Sequence, residues 1–163
     1  LTYNRLFCYR RFTIYDETGQ EIIHMVATFV LMDRESRKVH PVEPEIVAPY
    51  QSEFSKKLIR GPKYEELEDA ISKDYHVRFY DLDMNGHVNN SKYLDWVFEV
   101  MGADFLTNHI PKKINLKYVK EVRPGGMITS SYDLNGLESN HQVTSDGDIN
   151  AQAKIIWQEI NKD

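Results

Sequence analysis

The chain has 163 residues, 41% of them apolar and 28% charged, the composition of one ordinary globular domain or slightly more. Its longest unbroken apolar run, Phe29 to Met32, is far short of the roughly 20 residues a membrane helix needs, and a net charge of -5 argues against a broad nucleic-acid surface. Cys8 is the single cysteine, so neither an intrachain disulfide nor a cysteine-based metal cage can form, which points to a reducing, cytoplasmic setting.

Residues 1–45 open on strand composition in Tyr3, Leu6, Cys8, Tyr9, Phe12 and Ile14. The turn signal of residues 16–20 leads into a second run, 21–32, with Ile23, Met25, Ala27, Phe29 and Leu31 in alternation, so a long hairpin is expected. Pro41, Pro44, Pro49 and Pro62 then punctuate a charged stretch. Residues 46–74 read as a linker, with at most a short helix over Tyr64 to Ile71. From residue 75 a strand pattern returns in His76 to Tyr80, followed by a polar loop and a helix.

In that helix Tyr93, Trp96, Val97, Val100 and Met101 form one apolar stripe that Leu94 and Phe98 widen, which predicts deep burial. Four strand-like runs follow, at 112–122, 126–134, 139–145 and 149–159, separated by Pro124-Gly125-Gly126, Asn135-Gly136 and Asp146-Gly147. The last run places Ile149, Ala151, Ala153, Ile155 and Trp157 on an inner face and Asn150, Gln152 and Lys154 on a wet one. One strand, one buried helix and an antiparallel meander give an α+β layer in which the sheet wraps the helix, an arrangement that resembles the hot dog fold. On this reading residues 75–163 are a complete hot dog module, and residues 1–45 are the C-terminal strands of a first module whose N-terminal part lies outside the chain. An echo between the hairpins at Asp16–Gly19 and Asp146–Gly147 supports two copies.

The loop Tyr80-Asp81-Leu82-Asp83-Met84-Asn85-Gly86-His87-Val88-Asn89-Asn90 concentrates carboxylates, amides and an imidazole beside the start of a buried helix. Taken singly, Asn89 or Asn90 can cap the helix, Gly86 can supply a positive φ and His87 can be an ordinary loop histidine. Together they are costly, because each polar group left without a partner costs roughly 1 to 3 kcal/mol, and a functional cluster explains them better. Asp81, Asp83, Asn85 and Gly86 also match positions 1, 3, 5 and 6 of a calcium loop, but Lys92 stands where the closing bidentate Glu belongs. No other spacing reads as a metal site, so none is expected.

Asp81 to Asn90, followed by Tyr93 and Trp96, resembles the signature of acyl-acyl carrier protein thioesterases, and the resemblance extends over residues 75–163 and into the Tyr9-Arg10-Arg11-Phe12 hairpin. It implies a tandem hot dog protein that hydrolyses the thioester between a fatty acyl chain and the phosphopantetheine arm of acyl carrier protein, ending fatty acid synthesis without cofactor or metal. Carried over by position, Asp83, Asn85 and His87 match the family's catalytic loop, and Glu121 in Tyr118-Val119-Lys120-Glu121-Val122-Arg123 matches its acidic partner on the next strand. The plant enzymes carry a cysteine after that acid; here the position is Val122, which disfavours a cysteine acyl-enzyme.

The mechanism so implied is water attack assisted by Glu121 or Asp83 with His87, Asn85 orienting water or substrate, and an oxyanion met by backbone N–H groups near Val88, Asn89 and Asn90 at the helix start. Lys112, Lys113, Lys117, Lys120 and Arg123 are a weaker candidate docking surface for the acidic carrier protein. A bacterial protein is expected, and a module lacking its partner would expose sheet surface, so self-association into homo-oligomers is expected too. The alternatives are an acyl-CoA thioesterase of the hot dog superfamily and a non-catalytic acyl-binding module.

Overall fold

The computed structural model describes residues 1–161, which fall into two compact units, one from Leu1 to Arg60 and one beginning at Gly61. The first unit holds strands β1 (Thr2–Tyr3), β2 (Cys8–Tyr15), β3 (Glu21–Phe29), β4 (Leu31–Met32) and β5 (Val39–His40), a one-turn helix α1 (Pro44–Val47), and β6 (Glu53–Phe54). Four of the strands pair in the order β3-β2-β1-β6, and β4 with β5 makes a separate ribbon. The expected hairpin is present: Asp16 Oδ1 accepts the N–H groups of Thr18 and Gln20 at 2.9 Å each, an Asx turn that reverses the chain. Its first arm is not one strand. Asn4 Oδ1 accepts from Leu6 and Phe7 N–H, so the chain doubles back and β1 pairs antiparallel with β2. Ile22, Ile23, Met25, Val26 and Phe29 of β3 are exposed.

The second unit contains β7 (Ile71–His76), α2 (Asn90–Glu99), α3 (Ala103–Leu106), β8 (His109–Tyr118), β9 (Met127–Asn135), β10 (Glu138–Ser145) and β11 (Asp148–Glu159). Its five strands form an antiparallel sheet in the order β7-β9-β10-β11-β8. Alternation aims Ile128, Ser130 and Tyr132 of β9, Ser139, His141 and Val143 of β10, and Ala151, Ala153, Ile155 and Trp157 of β11 inward. These side chains and the α2 stripe of Tyr93, Trp96, Val97, Val100 and Met101 make one core, and Ser130 Oγ donates to Trp96 O at 3.0 Å, joining helix to sheet. The α+β architecture, an antiparallel sheet around one buried helix, is that of the hot dog fold.

Several local expectations shift. No helix forms over Tyr64 to Ile71: Asp69 takes a left-handed φ of 48°, Glu68 N–H donates to Asp133 Oδ2, and Ile71 begins β7 opposite Tyr132. The strand expected from residue 75 therefore runs from Ile71 to His76, and Phe79–Asp81 is a 3₁₀ turn. Regular helix ends at Glu99, with Gly102 at φ 82° redirecting the chain into α3. Strand β8 stops at Tyr118, so Glu121 stands in a loop rather than on a strand.

The inner and outer faces of β11 also differ from strict alternation at one end. Val143 pairs with Ala151 and Thr144 with Ile149, leaving Asn150 as the extra residue of a β-bulge. The bulge turns Asn150 inward to 1% exposure and leaves Ile149 at 38%, the reverse of the period-two pattern.

Candidate functional site

The loop between β7 and α2 is folded by its own polar groups. Asp83 Oδ1 accepts the backbone N–H of Asn85 at 2.8 Å and of His87 at 3.1 Å, and Asn85 Nδ2 donates to Asp83 Oδ2 at 3.4 Å. Asp83 N–H donates to His87 O, Gly86 N–H closes the turn onto Asp83 O, and Gly86 adopts φ 76°, where a side chain is strained. The His87 N–H, with help from Asn85 and against the opposing effect of desolvation, holds the Asp83 carboxyl below the usual carboxylate range.

Asp81 has a different role from its neighbours. It is buried, accepts the Arg78 N–H at 2.8 Å and pairs with the Arg78 guanidinium, so the first residue of the calcium-like pattern is committed to its own turn. Asn89 caps α2, its Oδ1 accepting Ser91 N–H at 3.0 Å. Of the three amides expected to meet an oxyanion, that of Asn89 already donates to Asp81 O at 2.8 Å and is taken out of that role. No described residue accepts from the amides of Val88 or Asn90.

Glu121 is brought to this loop by the segment that follows β8. Its Oε2 lies 3.9 Å from His87 Nε2, with the two side chains 54% and 49% exposed. The backbone of the segment is held from two sides. Val119 and Lys120 N–H both donate to Asn150 O, Asn150 Nδ2 reaches the carbonyls of Lys120 and Glu121, and Val122 N–H donates to Tyr93 Oη at 3.2 Å. Tyr118 Oη donates to Asn90 O at 2.9 Å, and its ring meets that of Tyr93 edge-on at 5.3 Å. Burial raises the pKa of both phenols, so both remain neutral hydrogen-bonding groups at ordinary pH.

Asp83, Asn85, His87 and Glu121 are thus gathered at the N-terminal end of α2, while the expected basic surface is divided. Lys113 and Lys117 share the outer face of β8 opposite Ile156 and Gln152, and Lys112 is the bulged residue between Ile156 and Trp157. Lys120 is ion-paired with Asp148, and both line, with Glu121, Arg123 and Asn150, a charged cleft of about 320 Å³. Tyr93, Tyr118 and Asn150 escaped the sequence reading as site residues. The tyrosines look like core and strand residues, and nothing in the pattern marks Asn150 as a bulge.

A buried helix wrapped by an antiparallel sheet, with carboxylate, amide and imidazole side chains at the helix start, defines a hot dog protein. The profile of the acyl-ACP thioesterase C-terminal domain matches residues 64–159, and that of the N-terminal domain matches residues 1–50. The chain belongs to the acyl-ACP thioesterase family. It is 29% identical over 142 residues to oleoyl-acyl carrier protein thioesterase 2, chloroplastic, of Arabidopsis thaliana, covering 78% of this chain and 37% of that protein. A solved Lactobacillus plantarum structure assigned as an oleoyl thioesterase superposes with a TM-score of 0.90 at 33% identity, over 99% of this chain and 66% of that one. The 12:0-ACP thioesterase of Umbellularia californica shares the fold at a TM-score of 0.83 and 24% identity, over 96% of this chain and 64% of that one. The chain spans little more than a third of the length of the curated plant relatives it matches first, 37% and 36% of theirs. Among the described residues no helix is long and apolar enough to cross a membrane.

Proposed function

We propose that the protein hydrolyses fatty acyl-acyl carrier protein to free fatty acid and carrier protein, and so ends fatty acid synthesis. The observation that carries the reading is the approach of His87 to Glu121 at the start of α2, beside a carboxylate that its own loop holds ionised. Of the two acids, Glu121 is the better general base. Asp83 already accepts three hydrogen bonds and has its proton affinity lowered, whereas Glu121 Oε2 stands 3.9 Å from His87 Nε2. Glu121, with His87 beside it, takes a proton from water as the oxygen attacks the thioester carbonyl. The oxyanion is met by the amides of Val88 and Asn90 at the positive end of α2. Collapse breaks the C–S bond, and the proton held by the Glu121–His87 pair passes to the departing phosphopantetheine thiolate. Asp83 and Asn85 keep the loop in shape. The second unit, whose sheet includes β7 from Ile71, is the catalytic one in this reading.

The acidic carrier protein is the proposed partner. Lys113 and Lys117 on the outer face of β8 and Arg123 at the cleft form the attracting surface, with Lys112 at the bulge and Lys120 shared with Asp148. A bacterial, cytoplasmic setting fits the lone, partly buried Cys8 and the likeness to the Lactobacillus protein. Association of copies through apolar side chains of β3 is part of the same proposal. The test is release of free acid by the full-length protein from matched acyl carrier protein and acyl-CoA thioesters. Carrier-preferring hydrolysis that weakens with salt supports the reading. Preference for acyl-CoA moves the substrate to the other carrier, and acyl binding without hydrolysis makes the module a binder.

A further inference from the structure

We propose that Asn150 is a positioning residue for Glu121, acting through a β-bulge that aims its carboxamide under the Glu121 loop. The inference rests on the proposed role of Glu121 as base and adds a residue to that site. After Tyr118 the chain leaves the sheet, so the backbone polar groups of the segment that carries Glu121 need partners outside the ladder. Asn150 supplies most of what is missing. Its backbone carbonyl accepts from Val119 N–H at 2.8 Å and Lys120 N–H at 3.1 Å, and its Nδ2 donates to Lys120 O at 3.3 Å and Glu121 O at 3.4 Å. Ser145 Oγ donates to Asn150 Oδ1 at 2.8 Å, fixing which way the carboxamide faces.

The arrangement depends on the extra residue. In an unbroken β10–β11 ladder residue 150 would lie on the outer face with Gln152 and Lys154. Inserted between Ala151, opposite Val143, and Ile149, opposite Thr144, it turns inward and becomes almost fully buried. A buried carboxamide with donor and acceptor both engaged specifies one loop conformation, because any other leaves polar groups unpaired. The Glu121 carboxylate hangs from the residue whose carbonyl Asn150 holds, so its distance to His87 is set partly from β11.

The test uses the full-length protein with Asn150→Ala and Asn150→Ser, the latter keeping one hydroxyl donor, and with Gln152→Ala on the outer face as control. Backbone amide exchange in the absence of substrate is expected to quicken at Lys120 and Val122 in Asn150→Ala, to recover in part in Asn150→Ser, and to stay unchanged in β9. Hydrolysis of acyl-acyl carrier protein is expected to lose kcat by up to about 10²-fold in Asn150→Ala with little change in KM, the size of effect that misplacing a catalytic group produces. In a Glu121→Gln background the same substitution should cost nothing more, since the group it positions is already disabled. An undiminished kcat, or an equal loss in the Glu121→Gln background, overturns the proposal. If Asn150→Ala does not fold, Asn150→Ser carries the same comparisons. Wild-type protein that hydrolyses neither thioester overturns the functional reading instead, and exchange at Lys120 and Val122 alone then decides whether Asn150 holds the loop.

Discussion

The phenolic oxygen of Tyr93 accepts the Val122 N–H at 3.2 Å, so the helix that follows the Asp83 loop also holds the segment that carries Glu121. Tyr93 stands one turn into α2, three residues after its first residue, Asn90, and its ring packs edge-on against Trp96 and Tyr118. Removing the hydroxyl leaves Val122, 2% exposed, with an unpaired amide. Tyr93→Phe is expected to lower stability by about 1 to 3 kcal/mol, the cost of a buried donor without a partner, read by denaturant unfolding. It should also lower turnover, because the Glu121 loop loses one of its two supports.

Glu121→Gln removes the proposed base while keeping the side chain's shape. A loss of about 10² to 10⁴ in kcat is expected, the usual contribution of general acid–base catalysis, with the unfolding midpoint nearly unchanged. Activity equal to that of the native protein excludes Glu121 from the mechanism.

Asp83→Asn is expected to act differently. The charged acceptor that gathers Asn85 and His87 becomes a neutral amide, so the loop loosens and His87 no longer faces Glu121 in one geometry. Turnover should fall strongly while the β9–β10–β11 core remains folded. Free-acid release together with a near-ultraviolet spectrum measures both, and a fully active Asp83→Asn protein removes Asp83 from the site.

His141 links stability to pH. It lies on the inner face of β10 with Nε2 2.7 Å from Ser139 Oγ, which also accepts from Trp157 Nε1, and its Nδ1 has no partner among the described residues. Burial pushes its pKa from 6.5 to about 4, with Asp133 opposing. Because the folded-state value is depressed, the neutral form is favoured by folding. This stabilisation is complete above pH 6.5 and is lost as pH falls toward 4, about 3 kcal/mol over that interval. Subtracting the unfolding free energies of His141→Leu from those of the native protein across pH 4 to 7 should isolate that slope. A difference independent of pH contradicts it.

The bulge at Asn150 makes a separate stability prediction. Period-two alternation puts Ile149 and Ile155 on the same inner face, yet Ile155 is fully buried and Ile149 is 38% exposed. Ile155→Ala should therefore cost about 2 to 5 kcal/mol, and Ile149→Ala only about 0.5 kcal/mol. Equal losses in chemical unfolding indicate an unbroken strand.

The hairpins, the buried helix and the loop that bears Asp83, Asn85 and His87 are legible in the chain alone. These rest on local signals: turn residues such as Asn135-Gly136 and Asp146-Gly147, an apolar stripe at helical spacing, and a cluster of polar groups no core requires. Strand ends and bulges come from tertiary contacts. Beyond Tyr118 the amides of Val119 and Lys120 both go to Asn150 O, far along the chain, and Asn150 is inside because the ladder between Val143 and Thr144 slips by one residue. The sequence could nominate Glu121 and Asp83 equally. In the fold their surroundings differ: Asp83 accepts hydrogen bonds from its own loop while Glu121 is carried across to His87, and a contact between residues 34 apart leaves no periodic trace in the chain.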